Sequence, residues 1–487
     1  MVKQVMNRRF VMQQLDDMKD FLENPQKYDS TRRDGVKIPE DAENLEKEDF
    51  DNALESVNES IANEEKISSG QEGFDDYSPE ARRRGEEPPS IDDYAFFSRD
   101  PVISNLQSAL EDYFENNKPE DVEDVKTGHG GRRSGGDEIL PAADKSIKNI
   151  NLEVTDDGRR LFNKYSITDP GWIKSVFAMG VRLLKKKHRF VENPAIPKPI
   201  ANRTRIILFG DWGSGLPRAQ KVASQVRKIL DEGKARGIQQ HVVHLGDIYY
   251  SGWKREVKNN FLKYWPVAMG EANEISSWSV NANHDMYAGG HAYYKTLLKD
   301  PRFAGHVNSD GDTTSIFSML NDKWRILGVD SAHDDHNLKE PQPQWIRAQV
   351  AEAKQAGQKV MLLCHHQLFS AFEDGGNDMV TALGDLLEGP NIHSWFWGHE
   401  HRCAVYKPHM NIQYARLLGH GGVPAYQWKK QKDDIPEMTN YVYRGRFKSG
   451  LEQWGYFGFA VLDFDDTNIG VRYIDENGET HYSETIT

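Results

Sequence analysis

Cysteine is nearly absent: Cys364 and Cys403 are the only two in 487 residues. Two thiols cannot build a disulfide framework, and such sparing use points to a reducing compartment. Both stand beside histidine-bearing motifs, where the ordinary reading is a small strand residue. Long apolar runs are missing as well. None approaches the ~20 residues of a membrane-spanning helix, and residues 1–10 contain no uninterrupted apolar signal core. A cytoplasmic location is therefore expected, signal-less secretion aside. Nor is there a basic excess. The net charge is −14; residues 201–487 hold 31 Lys+Arg against 34 Asp+Glu, leaving 30 against 41 for residues 1–200. Neither half is built for counterion-release binding to a nucleic-acid backbone.

What is present divides into an N-terminal region (1–150), a connector (151–202) and a strand-rich region (203–487). Helical spacing places Val11, Leu15, Met18 and Leu22 on one side of an N-terminal helix. Residues 26–92 are rich in Asp, Glu, Ser and Pro, a composition that buries too little apolar surface to order most of the stretch by itself. Ser98-Arg99-Asp100-Pro101 reads as a helix start, followed by an apolar face of Val102, Leu106, Leu110 and Phe114. Residues 117–147 read as a Gly-rich linker. Residues 172–189 have helical spacing and end in Lys185-Lys186-Lys187-His188-Arg189. Such a segment could touch an anionic membrane, but packing of its Ile173, Val176, Phe177, Leu183 and Leu184 side within the protein, with a solvated basic end, is favoured. Pro194, Pro197 and Pro199 then make a stiff connector.

From residue 203 onward, short apolar strands alternate with helical patterns, the signature of an α/β domain. Helices are expected between Pro217 and Arg236, near Lys254–Trp265 and over Gln344–Ala356. The tail is strand-rich, with a hairpin turn at Asp475-Glu476-Asn477-Gly478. The chemistry-bearing feature is one device used five times: an apparent strand followed by a polar turn. The turns are Gly210-Asp211-Trp212-Gly213, Gly246-Asp247-Ile248-Tyr249-Tyr250, Asn283-His284-Asp285, Cys364-His365-His366-Gln367 and Gly398-His399-Glu400-His401. Ligands bind at such strand ends in open α/β sheets. Oxygen and imidazole donors without thiolate suit iron, manganese or zinc. Seven candidate ligands are too many for one ion and fit two that share a carboxylate.

These five blocks, in this order, resemble the calcineurin-like metallophosphoesterases and, among them, the purple acid phosphatases. The resemblance spans residues 203–487. It implies an α/β/β/α sandwich; residues 1–200, mostly helical and partly disordered, lie outside it. It also implies one ion on Asp211, Asp247, Tyr250 and His401, and a second sharing Asp247 and taking Asn283, His365 and His399. Gly213 stands where other metallophosphoesterases have a ligand His, and Tyr250 stands where a phenolate could replace it. That favours Fe(III) at the first site, with Fe(II), Zn or Mn at the second. Ala282 replaces the glycine usual before Asn283, which suits a turn that needs no positive φ.

The activity implied is hydrolysis of phosphate monoesters by a hydroxide bridging the ions, with His284 as proton donor and Asp285 orienting it. The substrate would be a phosphorylated small molecule, a nucleotide or a phosphoprotein. A phosphodiesterase or nucleotide pyrophosphatase could use the same site, and an interaction protein with a decayed site is the reading from another class. His420, before Gly421-Gly422, is a candidate substrate-binding residue. Lys429, Lys430, Lys432, Arg444, Arg446 and Lys448 form a basic cluster, a solvated face or a contact for an anionic leaving group. Strand alternation marks His244 and His366 as structural, and Asp330 as near the site without a ligand role.

Overall fold

A computed structural model describes residues 8–23, 47–68, 97–116, 152–154, 160–162, 187–373, 375–425, 436–449 and 452–487. The described residues up to Phe162 fall in one compact unit and those from Lys187 onward in another. In the first unit, the helix Arg8–Glu23 buries Val11, Leu15, Met18 and Leu22, as its spacing predicts. The helix Pro101–Asn116 begins where Asp100 accepts from the amides of Val102 and Ile103 at 2.8 and 3.0 Å, with proline in the first turn. Between them in sequence, Lys47–Ser68 forms a 22-residue helix. Sequence spacing did not single out this helix within residues 26–92, most of which lie outside the described residues. Its inward stripe is Ala53, Val57, Ser60 and Glu64, with Ser60 donating to Asp100 at 2.9 Å. Two small apolar residues and two polar ones buried against neighbouring helices leave little periodic signal. Strands β1 (Leu152–Val154) and β2 (Arg160–Phe162) pair antiparallel. The linker at 117–147 and most of 172–189 lie outside the described residues.

The second unit is a sandwich of two sheets. Its strands are β3 (Lys198–Pro199), β4 (Thr204–Phe209), β5 (Gln239–His244), β6 (Ile275–Ser279), β7 (Phe317–Leu320), β8 (Trp324–Gly328), β9 (Lys359–Leu363), β10 (Ser394–Trp397), β11 (Cys403–Tyr406), β12 (Tyr414–Leu418), β13 (Thr439–Val442), β14 (Arg446–Ser449), β15 (Glu452–Gly455), β16 (Gly458–Asp465), β17 (Asn468–Asp475) and β18 (Thr480–Ile486). One sheet runs β18-β17-β16-β4-β5-β6 and the other β13-β11-β12-β10-β9-β8-β7-β3, while β14 and β15 pair antiparallel as a separate two-stranded sheet. β4, β5 and β6 are parallel, as are β8, β9, β10 and β12. Those parallel segments are buried on both faces, so they read as continuous apolar runs.

Alternate residues explain the layers. Ile206, Leu208, Val243 and Leu245 face Ile326, Met361, Leu363 and Phe396 between the sheets. On the outer face of the eight-stranded sheet, Leu327, Leu362, Trp395 and Leu417 join the helices Gln342–Ala356 and Asn377–Leu387. The helix Pro217–Ala235 carries a buried face of Val222, Val226 and Leu230. The α/β/β/α sandwich is thus the observed architecture. Lys254–Trp265 contains one α-turn and then a π-helix, Val257–Leu262, rather than a regular helix.

The visible end of the basic stretch, Lys187–Arg189, is irregular, not helical. Lys187 and Arg189 are exposed, as expected of a solvated basic end, but the segment is also tethered to the domain. The Lys187 ammonium donates to the His333 carbonyl at 3.2 Å, the His188 amide to the Gly289 carbonyl at 2.7 Å, and the His188 ring stacks 4.5 Å from Tyr294.

Candidate metal centre

The five turns meet at one place. β4 ends before Gly210, so Asp211 leaves its carboxyl end; β5 does the same for Asp247, and the turns after β6, β9 and β10 bring Asn283, His365 and His399–His401. Asp211, Asp247, His399 and His401 adopt positive φ values of 56°, 79°, 71° and 45°. Non-glycine residues rarely hold such angles, and backbone strain of this kind gathers at functional sites. Gly246 (φ 97°) has no alternative: a Cβ there would lie 2.6 Å from the Ala282 methyl and 2.7 Å from His365 Nδ1. Ala282 itself is extended at φ −139°, so the loss of glycine there costs nothing.

Two trios that could each hold an ion result, and they share a member. Asp211, Asp247 and His401 form one; Asp247, His365 and His399 form the other. The hydrogen-bonding pattern shows why a cation fits. His365 Nδ1 donates to the Leu245 carbonyl at 2.8 Å, leaving the Nε2 lone pair inward. That lone pair faces Asn283 Oδ1 at 2.9 Å, His399 Nδ1 at 3.2 Å and Asp247 Oδ1 at 3.4 Å. Asn283 is fixed oxygen-inward because its amide nitrogen donates to Tyr287 at 2.6 Å. In the other trio one phenolic proton serves three acceptors: Asp247 Oδ2 at 2.7 Å, His401 Nε2 at 3.1 Å and Asp211 Oδ1 at 3.2 Å. Convergent lone pairs with too few protons are what a positive ion satisfies.

That phenol belongs to Tyr249. Tyr250, the residue indicated by sequence, is buried, and its carbonyl accepts from His284 Nδ1 at 2.6 Å. Alternation stops being a guide once the chain leaves β5 through two positive-φ residues, so spacing alone could not choose between adjacent tyrosines. His284 lies beside the carboxylates, its amide 3.2 Å from Asp247 Oδ1 and its ring 4.4 Å from that of Tyr249. Its orienting partner is the Tyr250 carbonyl; no hydrogen bond joins it to Asp285 among the described residues. Asp285 is fully buried, and burial together with the neighbouring Asp247 charge pushes its carboxyl well above the usual range. Asp247 is the reverse case. Burial alone would raise it, but the His365 and His284 imidazoles and the Tyr249 hydroxyl hold it below the ordinary carboxylate range.

Other histidines also shift place. His366 is not turned away: its ring lies 4.7 Å from His399 and 3.9 Å from His336, because β9 has already ended at Leu363. With His399 these two form a further cluster at the rim that sequence spacing did not reveal. His244 is packed among Phe209, Phe261 and Trp265. Asp330 accepts from Asn281, Tyr294, Ser315 and two backbone amides, a structural hub without a ligand role. His420 is buried and lines a pocket with His401, Arg402, Tyr443 and Arg444. Lys429, Lys430 and Lys432 lie outside the described residues.

A two-sheet α/β sandwich with carboxylates and imidazoles at converging strand ends defines a metal-dependent phosphoesterase. The comparison with family models agrees: residues 204–403 match the calcineurin-like phosphoesterases, and this part of the chain is a domain of that family. Among solved structures, the chain is similar to GAP50, the anchor in the inner membrane complex of Plasmodium, at 14% identity and a TM-score of 0.43, over 58% of this chain and 89% of that one. It is similar to a dimetal phosphatase from Danio rerio at 14% identity and TM-score 0.38, over 58% and 98%. The 5'-nucleotidase from Candida albicans follows at 11% and 0.27, over 48% and 47%. Comparison with curated proteins gives no match. Among the described residues, no helix is long and apolar enough to cross a membrane.

Proposed function

We propose that the chain is a binuclear metal-dependent phosphatase acting on phosphate monoesters. The observation that carries this reading is the sharing of Asp247 between two adjacent ligand trios. One ion would be held by Asp211, Asp247 and His401 with the Tyr249 phenolate, which favours Fe(III). The other would be held by Asp247, Asn283, His365 and His399, and would be Fe(II), Zn or Mn. When bound, such a pair supplies Lewis acidity towards phosphoryl oxygens and an acidified water as nucleophile. Two carboxylates and a phenolate bring −3 against +5, leaving a positive site for a phosphate dianion.

The chain's own residues do the rest. The Tyr250 carbonyl accepts the Nδ1 proton of His284, so the imidazolium form, with its second proton on Nε2, would be the one that protonates the departing oxygen and is left neutral. The Asp247 carboxylate accepts the His284 amide and so couples the acid to the ligand set. Arg402 and Arg444 line a pocket that also includes His401 and would offer positive charge to an anionic ester there.

The test is to load metal-free protein with iron, zinc or manganese and to assay p-nitrophenyl phosphate against bis-p-nitrophenyl phosphate. Faster monoester hydrolysis, dependent on two ions per chain, is expected. Preference for the diester would move the reading to a phosphodiesterase, and no turnover of either would overturn it.

A further inference from the structure

Cys403, His420 and His481 bring one sulfur and two imidazole nitrogens within 4.8 Å of one another. They come from separate places. Cys403 opens β11 and His420 follows β12, both in the eight-stranded sheet, whereas His481 lies on β18 at the edge of the six-stranded sheet. Cys403 belongs to the core between the sheets, so the cluster spans that interface.

Three of the four ring nitrogens here are buried without hydrogen-bond partners among the described residues. His420 is 4% exposed, and neither ring nitrogen has a hydrogen-bond partner among the described residues. Its backbone is fixed: the carbonyl accepts from Gly458 at 2.9 Å, and the next amide, Gly421, donates to Gly210 at 3.0 Å. His481 Nε2 is also buried and unbonded. The other nitrogen, Nδ1, lies 3.0 Å from the Tyr441 hydroxyl, which donates to the His481 carbonyl at 3.4 Å. That pairing occupies Nδ1 and leaves Nε2 as the nitrogen available to the cluster. Tyr443 stacks on the same ring at 3.6 Å and donates to Asp475 at 3.0 Å, fixing its plane. Burial keeps both imidazoles neutral, with His481 lowered to about 4, and pushes the Cys403 thiol up.

We propose that Cys403, His420 and His481 form a third cation site, for a zinc-class ion, that pins the C-terminal strand to the sheet carrying His401. One thiolate and two imidazoles are ligands that zinc accepts in tetrahedral sites. Donors around such an ion stand roughly 3.3–3.8 Å apart by the usual bond lengths, so closure needs about 1 Å of side-chain movement. Binding exchanges the Cys403 proton, released to solvent, for the ion. Cys403 and His420 line the pocket that also reaches His401, and the fourth position opens there to water or an anion.

Full-length protein, stripped of metal and titrated with Co(II), tests this. The paired centre contains no sulfur, so a near-ultraviolet thiolate-to-cobalt absorption reports this site alone. The band is expected in the wild type, retained in Cys364→Ala and Asp247→Asn, and reduced at least tenfold in Cys403→Ser. Zinc per chain should fall from three to two in that variant. No band in the wild type at saturating cobalt would overturn the proposal without any variant having to fold. So would a band that survives Cys403→Ser, or one unchanged in intensity and position in His420→Gln.

Discussion

The Tyr249 hydroxyl donates to Asp247 Oδ2 at 2.7 Å, within reach of both Asp211 and His401. The neighbouring Tyr250 turns its carbonyl to His284 instead. An iron-loaded, oxidised protein is therefore expected to show a phenolate-to-iron absorption that Tyr249→Phe abolishes and Tyr250→Phe keeps. A visible spectrum of the two variants decides between them; loss only in Tyr250→Phe would reverse the assignment.

Asp247 belongs to both ligand trios. Asp247→Asn should lower the affinity for both ions together and bring turnover to background, whereas Asp211→Asn should weaken one ion first. Metal analysis after dialysis, set beside the rate, separates the two patterns.

The Nδ1 of His284 is held by the Tyr250 backbone carbonyl. His284→Ala should keep its metal and lose roughly 10²–10⁴ in rate, and Asp285→Asn should change the rate far less. A comparable loss in both would restore Asp285 as the orienting group.

Arg218 and Glu476 form a bidentate pair at 2.8 and 2.6 Å with side chains 0% and 3% exposed. The pair fastens the first turn of the helix Pro217–Ala235 to the turn after β17. Removing one partner leaves a buried charge alone, which costs roughly 3–5 kcal/mol. Arg218→Leu should lower the urea midpoint accordingly, while Arg203→Leu, on an exposed pair with Asp465, should barely move it.

His306 accepts from the Ser279 amide at 3.0 Å and donates to the Thr314 carbonyl at 2.8 Å. Burial lowers it from 6.5 to about 4. Below pH 6.5 the unfolded chain takes up a proton that the folded chain refuses, so stability is complete above that pH and declines as pH falls towards 4. The contribution is about 3 kcal/mol. Denaturation at stepwise pH should show a shallower decline in His306→Gln.

The sandwich and the convergence of the candidate ligands were legible because parallel strands buried on both faces announce themselves as apolar runs, each ended by a polar turn. Asp211, Asp247, Asn283, His365, His399 and His401 all sit at such ends. What escaped depended on geometry after the strand had stopped. Tyr249 against Tyr250, and His366 beside His399, are decided by turns with positive φ, where period-two reasoning has no purchase. The helix Lys47–Ser68 escaped for a different reason: its buried stripe includes Ser60 and Glu64, so packing supplied what apolar periodicity did not. His481 is remote from every motif, and only the pairing of β17 with β18 brings it to Cys403.

The His399 amide reaches the Asp211 carboxylate across 188 positions of sequence, at 2.8 Å. A polypeptide leaving the ribosome therefore exposes Asp211, the first carboxylate of the centre, long before the turn that cradles it exists. The second trio cannot be complete until the chain has grown past His399, nor the first until it has passed His401, so neither ion can be held before most of the domain has been made. Fragments ending before Gly398 should fail to retain metal.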